Sequence, residues 1–322
     1  MLYPLKFKPL FKERIWGGRK IETAFGKKLP KNKFIGESWE LSGVPGDVSI
    51  VANGNLKGNS LEELIEVYMD DLVGEKVYEK YQTEFPLLIK LIDADDVLSI
   101  QVHPDDELAA ERHNSYGKTE MWYVIDHEPG AELFVGFNQP VDRGKYIESL
   151  EKGELDKLLN RYKVSKGAAY FIPAGAIHAI GKGILIAEIQ QTSDVTYRVF
   201  DWNRVDADGK SRELHTELAL DAIDFSEKHD YEVAAKPIKN EAANIEKCRY
   251  FVTNTVWVDG KIERDYFDVD SFVIYICLDG SLKLTTGAGE ETIVKGETVL
   301  IPAIFDSVVI EGGGKLLEVY VP

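Results

Sequence analysis

The sequence predicts a mainly β protein made of two barrel or jelly-roll domains with helical insertions. From Phe85 onward, short runs rich in Ile, Leu and Val alternate with Asp-Asp, Asp-Gly or Gly-rich breaks, as in SFVIYICLDG and ETVLIPA. A faint internal repeat also aligns GAAYFIPAGAIHAI, from Gly167, with GETVLIPAIFDSVV, from Gly296. Because both copies place the same glycine before Pro-Ala, we expect two related barrels.

Helical segments interrupt this β pattern in three places. The segment SLEELIEVYMDDLVGEKVYEKYQT has apolar positions at helical spacing after a serine that can cap a helix, which predicts one or two short helices. Polar, helical-looking segments at about 138–162 and at 213–224 are interpreted as insertions on the β scaffold. We expect an N-terminal catalytic domain at 1–234 and a C-terminal domain at 235–322.

Composition and charge limit the possible functions. The 322 residues include 55 acidic and 38 basic side chains, which give a formal charge of −17. Such a surface repels nucleic acid and anionic membranes, so we expect neither as a partner. The N-terminus lacks the uninterrupted apolar core of a signal peptide, and Cys248 and Cys277 are expected to be buried thiols, so we predict a cytoplasmic protein. If the substrate is an anion, lysine or arginine side chains must cluster at the site that binds it.

Three segments offer side chains that suit a metal ion. Gln101 and His103 are two residues apart in SIQVHPDD, and a strand places such residues on one face. Lys118 and Glu120 have the same spacing at the start of the next apolar run, and His178 follows the turn in IPAGAIHAI. Two imidazoles, a carboxylate and an amide oxygen suit a borderline ion such as Zn²⁺, with a position left for water or substrate.

The repeat places this chemistry in the first domain. Where the first copy has His178, the second copy has Ser307, and no histidine follows His229. A histidine-based metal site in the C-terminal domain is therefore excluded, and we expect that domain to be degenerate.

The spacing of QxH, a following Glu and G(x5)PxGxxH closely resembles the two motifs of the cupin superfamily, which implies a double cupin fold. The segments LSIQVHPDD, GKTEMWYV, FVGFN, IPAGAIHAIGKG and IQQTSDVTYRVFDWNR, with RIWGG and GESWELS, resemble those of type I phosphomannose isomerases. The resemblance extends over residues 3–224 and, because the helical insertion is short, it is to the compact bacterial subgroup.

The resemblance implies an aldose-ketose isomerase that interconverts mannose 6-phosphate and fructose 6-phosphate with one zinc ion per chain. The residues at the zinc-ligand positions are Gln101, His103, Glu120 and His178. Arg198 matches an active-site arginine, Lys118 a lysine proposed to transfer protons, and Lys90 a further active-site lysine. A lysine in so apolar a run as PLLIKLI also needs a cavity or a partner.

The reaction needs a base that serves both carbons and a cation that stabilises the enediolate. Lys118 is the first candidate for the base, but Glu188 or Asp194 could serve instead. We expect Arg198 and Lys90 to hold the phosphate or the developing charge, and Lys90, Glu188 and Asp194 to lie in the substrate site.

Other interpretations remain open from the sequence. Arg198 could instead form a structural salt bridge with Asp201 or Asp194. The whole chain could be an iron-dependent cupin dioxygenase or a non-catalytic cupin that binds a sugar phosphate. The sequence does not distinguish a monomer from a homodimer.

Overall fold

The computed structural model describes residues 1–205, 209–226, 230–234 and 236–322. His229 and Ala235, the position at which the second domain was predicted to begin, lie outside the described residues. No helix within these described ranges is long and apolar enough to cross a membrane.

The secondary structure is mainly β with helical insertions, which confirms the predicted fold class. The strands are β1 (Leu5–Lys6), β2 (Leu10–Gly18), β3 (Ile35–Leu41), β4 (Leu87–Ala94), β5 (Ile100–Val102), β6 (Glu120–His127), β7 (Glu132–Phe137), β8 (Leu159–Lys163), β9 (Ala169–Ile172), β10 (His178–Ile180), β11 (Ile184–Gln191), β12 (Tyr197–Phe200), β13 (Glu232–Val233), β14 (Ala242–Lys247), β15 (Val252–Asp265), β16 (Val273–Thr286), β17 (Gly289–Val294), β18 (Thr298–Ile301) and β19 (Ser307–Tyr320). The helices are α1 (Lys20–Phe25), α2 (Leu61–Tyr68), α3 (Asp70–Val73), α4 (Glu75–Tyr81), α5 (Asp106–His113), α6 (Arg143–Glu151) and α7 (Thr216–Ala222), with a 3₁₀ helix at Leu155–Leu158.

Two antiparallel sheets form the N-terminal half. One has the strand order β12-β5-β10-β7-β8 and the other β13-β9-β6-β11-β4-β3-β2, and no pairing within the described ranges closes either of them. Side chains from β4, β6, β9 and β11 meet side chains from β7 and β10 in a core between the sheets, which includes Ile92, Trp122 and Val135. The continuous apolar runs of β4 and β11 are explained by this packing, because both strands are buried on both faces.

A third sheet, ordered β1-β18-β16-β19-β15-β14 with β17 paired to β16, contains the C-terminal strands. Its N-terminal member, β1, pairs with β18, so the start of the chain is built into this sheet. Helices α2 to α4 lie in a second large core with the outer face of β4 and with β16, in which Leu64, Ile89 and Ile274 are buried. The two halves therefore share apolar packing.

The predicted helical segments are found with changed boundaries. The first contains three short helices, α2 to α4, and Ser60 caps α2 by accepting a hydrogen bond from the Glu63 amide at 3.1 Å. The segment predicted to be helical as far as residue 162 is helical only to Leu158, because the chain then enters β8 and pairs with β7. Helix α5 was not predicted.

Two Asp-Gly pairs that were interpreted as turns lie inside long strands. Gly260 and Gly280 have positive φ values of 100° and 81°, but β15 and β16 continue past them and stay paired to β19. Beside Gly280 the register shifts, as at a β-bulge. An Asp-Gly pair can adopt this local conformation without ending the strand. The sequence alone does not distinguish a turn between two strands from an irregularity inside one strand.

The internal repeat extends further in the structure than in the sequence. Glu188 of β11 lies opposite Lys90 of β4 and Trp122 of β6, and Glu318 of β19 lies opposite Asn254 of β15 and Tyr275 of β16. The pairings β6 with β9 and β16 with β18 place Trp122 and Tyr275 at matching positions of the repeat. A buried glutamate therefore occupies the same place in both halves.

In the C-terminal half this glutamate is fully bonded. Glu318 accepts hydrogen bonds from Arg264 Nε at 2.9 Å and Asn254 Nδ2 at 2.8 Å, and also from the hydroxyl of Tyr266, which contacts that of Tyr275. Burial is the main reason that the pKa of Tyr266 is raised well above its ordinary value. The cluster joins β15, β16 and β19 and leaves Glu318 without exposed area.

This cluster should contribute to stability and not to chemistry. We expect Tyr266→Phe to lower the free energy of unfolding by about 1–3 kcal/mol, because it removes a donor from a buried carboxylate. Urea unfolding followed by tryptophan fluorescence measures the change, and Tyr78→Phe in α4 is the control. Unchanged stability of the Tyr266 variant would contradict the assigned role.

Candidate active site and metal centre

Strand register brings three of the predicted site residues into one row. In the five-stranded sheet β5 lies between β10 and β12, and Gln101 pairs with His178 on one side and with Arg198 on the other. Residues directly opposite one another in a sheet project to the same face. The side chains of β5, β10 and β12 at this level therefore share one surface.

Glu120 comes to this row from the other sheet. It is the first residue of β6, and His103 follows the last residue of β5. Glu120 Oε1 lies 3.4 Å from His178 Nε2, and its Oε2 lies 3.7 Å from His103 Nε2. One ligand atom from each of these three residues lies within 4.8 Å of the others. The three side chains form a cluster between the sheets that could hold a metal ion.

The two imidazoles are oriented by the backbone. His103 Nδ1 lies 3.0 Å from the carbonyl oxygen of Val195, and His178 Nδ1 lies 2.8 Å from that of Ala176. A ring nitrogen that faces a carbonyl oxygen carries the proton, so each Nε2 presents a lone pair toward Glu120. Metal-bound histidines are commonly held by the same second hydrogen bond.

The polar atoms at this place fit a cation. Among the described residues, both carboxylate oxygens of Glu120 and the Nε2 of His103 are buried without a hydrogen-bond partner. Burial, and next Glu188, raises the pKa of Glu120 to about 7, and burial lowers the pKa of His178 to about 4. A divalent ion compensates such a cluster by accepting the lone pairs that no protein donor satisfies.

Gln101 completes the set of predicted metal ligands. Its amide Nε2 lies 3.2 Å from His178 Nε2. A 180° flip of the side-chain amide places Oε1 where Nε2 now lies, and Oε1 is the atom that would coordinate a metal ion. All four side chains therefore converge, with Gln101 at the side that faces the cavity described below.

The two lysines predicted in the site are buried next to carboxylates. Lys118 Nζ lies 3.4 Å from Glu120 Oε2. Lys90 Nζ lies 2.8 Å from Glu188 Oε1 and 2.5 Å from Gln190 Oε1. Burial opposes the charge of Lys90, but Glu188 and Glu37 outweigh this effect and raise its pKa.

A cavity of about 420 Å³ opens beside the metal centre. Its wall includes every predicted site residue outside the His-Glu-His cluster, namely Lys90, Gln101, Lys118, Glu188, Asp194 and Arg198. These positions are far apart in the sequence, and they meet because β4, β5, β11 and β12 face the same space between the two sheets. The cavity has the size and the charged lining of a site for a small polar ligand.

Arg198 is not held by Asp201, one of the two carboxylates, with Asp194, that the sequence suggested as its structural partner. Asp201 accepts hydrogen bonds from Arg204 Nη2 at 2.6 Å and from Arg212 Nε at 2.7 Å. Arg198 Nη1 donates to the backbone oxygen of Glu213 at 2.9 Å, and its Nε is buried without a partner among the described residues. Its guanidinium remains available to a ligand in the cavity.

Sequence reasoning missed several residues of the cavity wall, including Arg14, Glu37, Trp39 and Arg212. Glu37 accepts hydrogen bonds from Arg14 Nε and Trp39 Nε1, both at 2.7 Å. Burial opposes ionisation of Glu37, but Lys90 and Arg14 outweigh it and lower its pKa to about 2. The segments RIWGG and GESWELS contain three of these residues, which was the available signal.

Comparison with known proteins agrees with this geometry. The family model described as the type I phosphomannose isomerase catalytic domain matches residues 4–138, and one described as the mannose-6-phosphate isomerase cupin domain matches residues 241–321. The chain is 38% identical over 304 residues to a mannose-6-phosphate isomerase of Bacillus subtilis, with 93% of each chain covered. The chain belongs to the type I phosphomannose isomerase family.

Other relatives support the same assignment. A mannose-6-phosphate isomerase of Streptococcus mutans is 33% identical, with 94% of this chain and 93% of the relative covered. A crystal structure of a mannose 6-phosphate isomerase from Bacillus subtilis superposes with a TM-score of 0.89 at 34% identity, covering 99% of both chains. The predicted family and cupin fold are thereby confirmed. The family match also extends into the C-terminal half, where the sequence had suggested only a general likeness.

The predicted metal ligands can be tested by substitution. We expect Glu120→Ala and His178→Ala to lose bound metal, because each removes one of a small set of buried ligands. Metal content after dialysis, measured by mass spectrometry, is the readout. His127→Ala, on the outer end of β6, is the control and should keep its metal. Full metal content in both site variants would refute the assigned ligands.

Proposed function

We propose that the chain interconverts D-mannose 6-phosphate and D-fructose 6-phosphate with the help of one zinc ion. The observation that carries this proposal is a buried His-Glu-His cluster, in which His103 Nε2 and both oxygens of Glu120 lack a hydrogen-bond partner among the described residues, beside a cavity lined by lysine and arginine. The names of the relatives support the choice of substrate. We further propose a cytoplasmic monomer or homodimer, which is consistent with free Cys248 and Cys277.

The zinc ion would be held by Gln101, His103, Glu120 and His178. When bound, it supplies a positive charge that polarises the oxygens of the sugar at C1 and C2. Two nitrogen ligands and two oxygen ligands suit this borderline ion. The backbone carbonyls of Val195 and Ala176 keep both imidazoles in the tautomer that the site requires.

Lys118 is the residue that we propose as the proton-transfer group. Its ammonium contacts Glu120 and lines the cavity, so it lies between the metal centre and the substrate space. Glu188, the first alternative, forms an ion pair with Lys90 and accepts a hydrogen bond from Trp122 Nε1 at 3.0 Å. These contacts leave it poorly placed to exchange protons. Asp194, the second alternative, lines the cavity but is exposed. We assign both carboxylates to substrate binding.

Lys90 and Arg198 would contact the substrate without transferring protons. An ammonium has three donors, and Glu188 and Gln190 take two of those on Lys90, which leaves one for a sugar oxygen. Arg198 has a buried Nε without a partner among the described residues. We assign it to the charge of the substrate, where its planar donors match an oxyanion.

The rival functions have less support. The relatives carry the names of isomerases, so an iron-dependent dioxygenase is not favoured. A non-catalytic cupin that binds a sugar phosphate would share the cavity and the cations, so the assay below separates it from the isomerase.

Activity should depend on the metal ion. We expect purified protein to form fructose 6-phosphate from mannose 6-phosphate in an assay coupled to NADPH formation. Incubation with a chelator should abolish turnover, and added Zn²⁺ should restore it, because the cluster holds the ion that polarises the substrate. Activity that is unchanged after the metal has been removed would contradict the mechanism, and zinc-loaded protein without turnover would favour the binding cupin.

The role of Lys118 can be separated from that of the metal ligands. We expect Lys118→Gln to keep its zinc and to lower kcat by about 100- to 10,000-fold, the usual contribution of a positioned acid or base. Lys182→Gln, on the surface before β11, should have normal kinetics. Zinc content and steady-state kinetics are measured together. A normal kcat in zinc-loaded Lys118→Gln would show that Lys118 is not the base and would favour Glu188 or Asp194.

A further inference from the structure

We propose that Arg14, Arg198 and Arg212 together form a subsite for a phosphate dianion, the phosphate group of the substrate. The inference rests on the proposed function and adds two arginines to the single one expected from the sequence. Arg14 lies on β2, Arg198 on β12 and Arg212 in the segment before α7, and all three line the cavity that also contains Gln101 and Lys118.

The guanidinium groups outnumber the carboxylates that hold them. Arg14 is bonded to Glu37, and Arg212 shares Asp201 with Arg204. Arg198 donates only to a backbone oxygen among the described residues. Arg204 also lies 3.6 Å from Asp96, so four guanidinium groups face three carboxylates, which leaves an excess of positive charge in a protein whose net charge is −17.

The other acidic groups of the cavity wall do not remove this excess. Glu13 lies 2.9 Å from Lys33 Nζ, and Glu188 is paired with Lys90. Asp194 is exposed, so water screens its charge. Burial, and next the neighbouring Arg212, lowers the pKa of Arg198, because like charges lie close together.

The carboxylates orient these arginines and leave donors free. Glu37 takes the Nε and Nη2 of Arg14, and Asp201 takes the Nε and Nη2 of Arg212. Arg14 Nη1 also donates to the backbone oxygen of Glu13 at 3.3 Å, which leaves one N–H of that nitrogen and both N–H groups of Arg212 Nη1. A guanidinium has five N–H groups in a fixed plane, and such a fork suits phosphate oxygens. Lys90 is less suitable, because its ammonium is enclosed by Glu188 and Gln190.

The test uses inorganic phosphate as the probe and the zinc-loaded enzyme. Isothermal titration should give a Kd for phosphate that rises about 10- to 100-fold in Arg14→Gln and in Arg212→Gln, since each loses a charge-assisted contact. In kinetics with mannose 6-phosphate, both variants should raise KM more than they lower kcat. Arg14→Lys should recover part of the affinity. Arg161→Gln, a surface arginine paired with Asp156, is the matched control.

A second titration uses the chelator-treated protein, because phosphate could also bind the metal ion. Phosphate binding that persists without metal and weakens in both arginine variants supports the subsite. Binding that disappears with the metal, or a Kd within twofold of the wild-type value in both variants, overturns it. The titration does not need turnover, so a wild-type protein that binds phosphate without isomerising mannose 6-phosphate would refute the proposed function alone.

Discussion

The carboxylate of Glu120 is the group around which the rest of the site is built. It is completely buried, and no donor among the described residues bonds either of its oxygens. An ionised carboxylate in such a place costs several kcal/mol unless positive charge compensates it. Lys118 and the two histidine rings surround it, but the rings present lone pairs and not protons. The cluster could therefore hold a metal ion, and binding of such an ion would also stabilise the folded chain.

Register is the second constraint. Gln101 lies between His178 and Arg198 only because β5 pairs with β10 and β12 in one alignment. A slip of one residue would turn a strand's side chains to the other face and separate the metal centre from the arginine. The same alignment carries Lys90 and Glu188 inward from β4 and β11, while their neighbours in the sequence face the large shared core. Packing on both faces of these strands therefore fixes the chemistry between them.

Because the site depends on strand register, only part of it could be predicted from the sequence. The two-residue spacing of Gln101 with His103, and of Lys118 with Glu120, indicates groups that share a face, and the repeat with its missing histidine indicates which half could bind metal. Spacing does not indicate which distant strands become neighbours. Arg212 belongs to no segment that the sequence analysis singled out, so its place in the cavity follows only from the fold, whereas for Arg14 the segment RIWGG was the one available signal. Local conformation at Asp-Gly was misjudged for a similar reason, since the ladder on both sides determines whether a strand continues.

The two halves of the chain show how one buried position can serve different purposes. Glu188 and Glu318 occupy matching places in the repeat. Around Glu188 the partners are Lys90 and Trp122, and space remains for a ligand. Around Glu318, arginine and tyrosine hydroxyls satisfy the carboxylate completely, and a closed cluster results. A fully bonded network specifies a rigid fold, whereas unsatisfied groups create binding capacity at a cost in stability. Because the halves share one apolar core, the closed half can stabilise the half that stays open for catalysis.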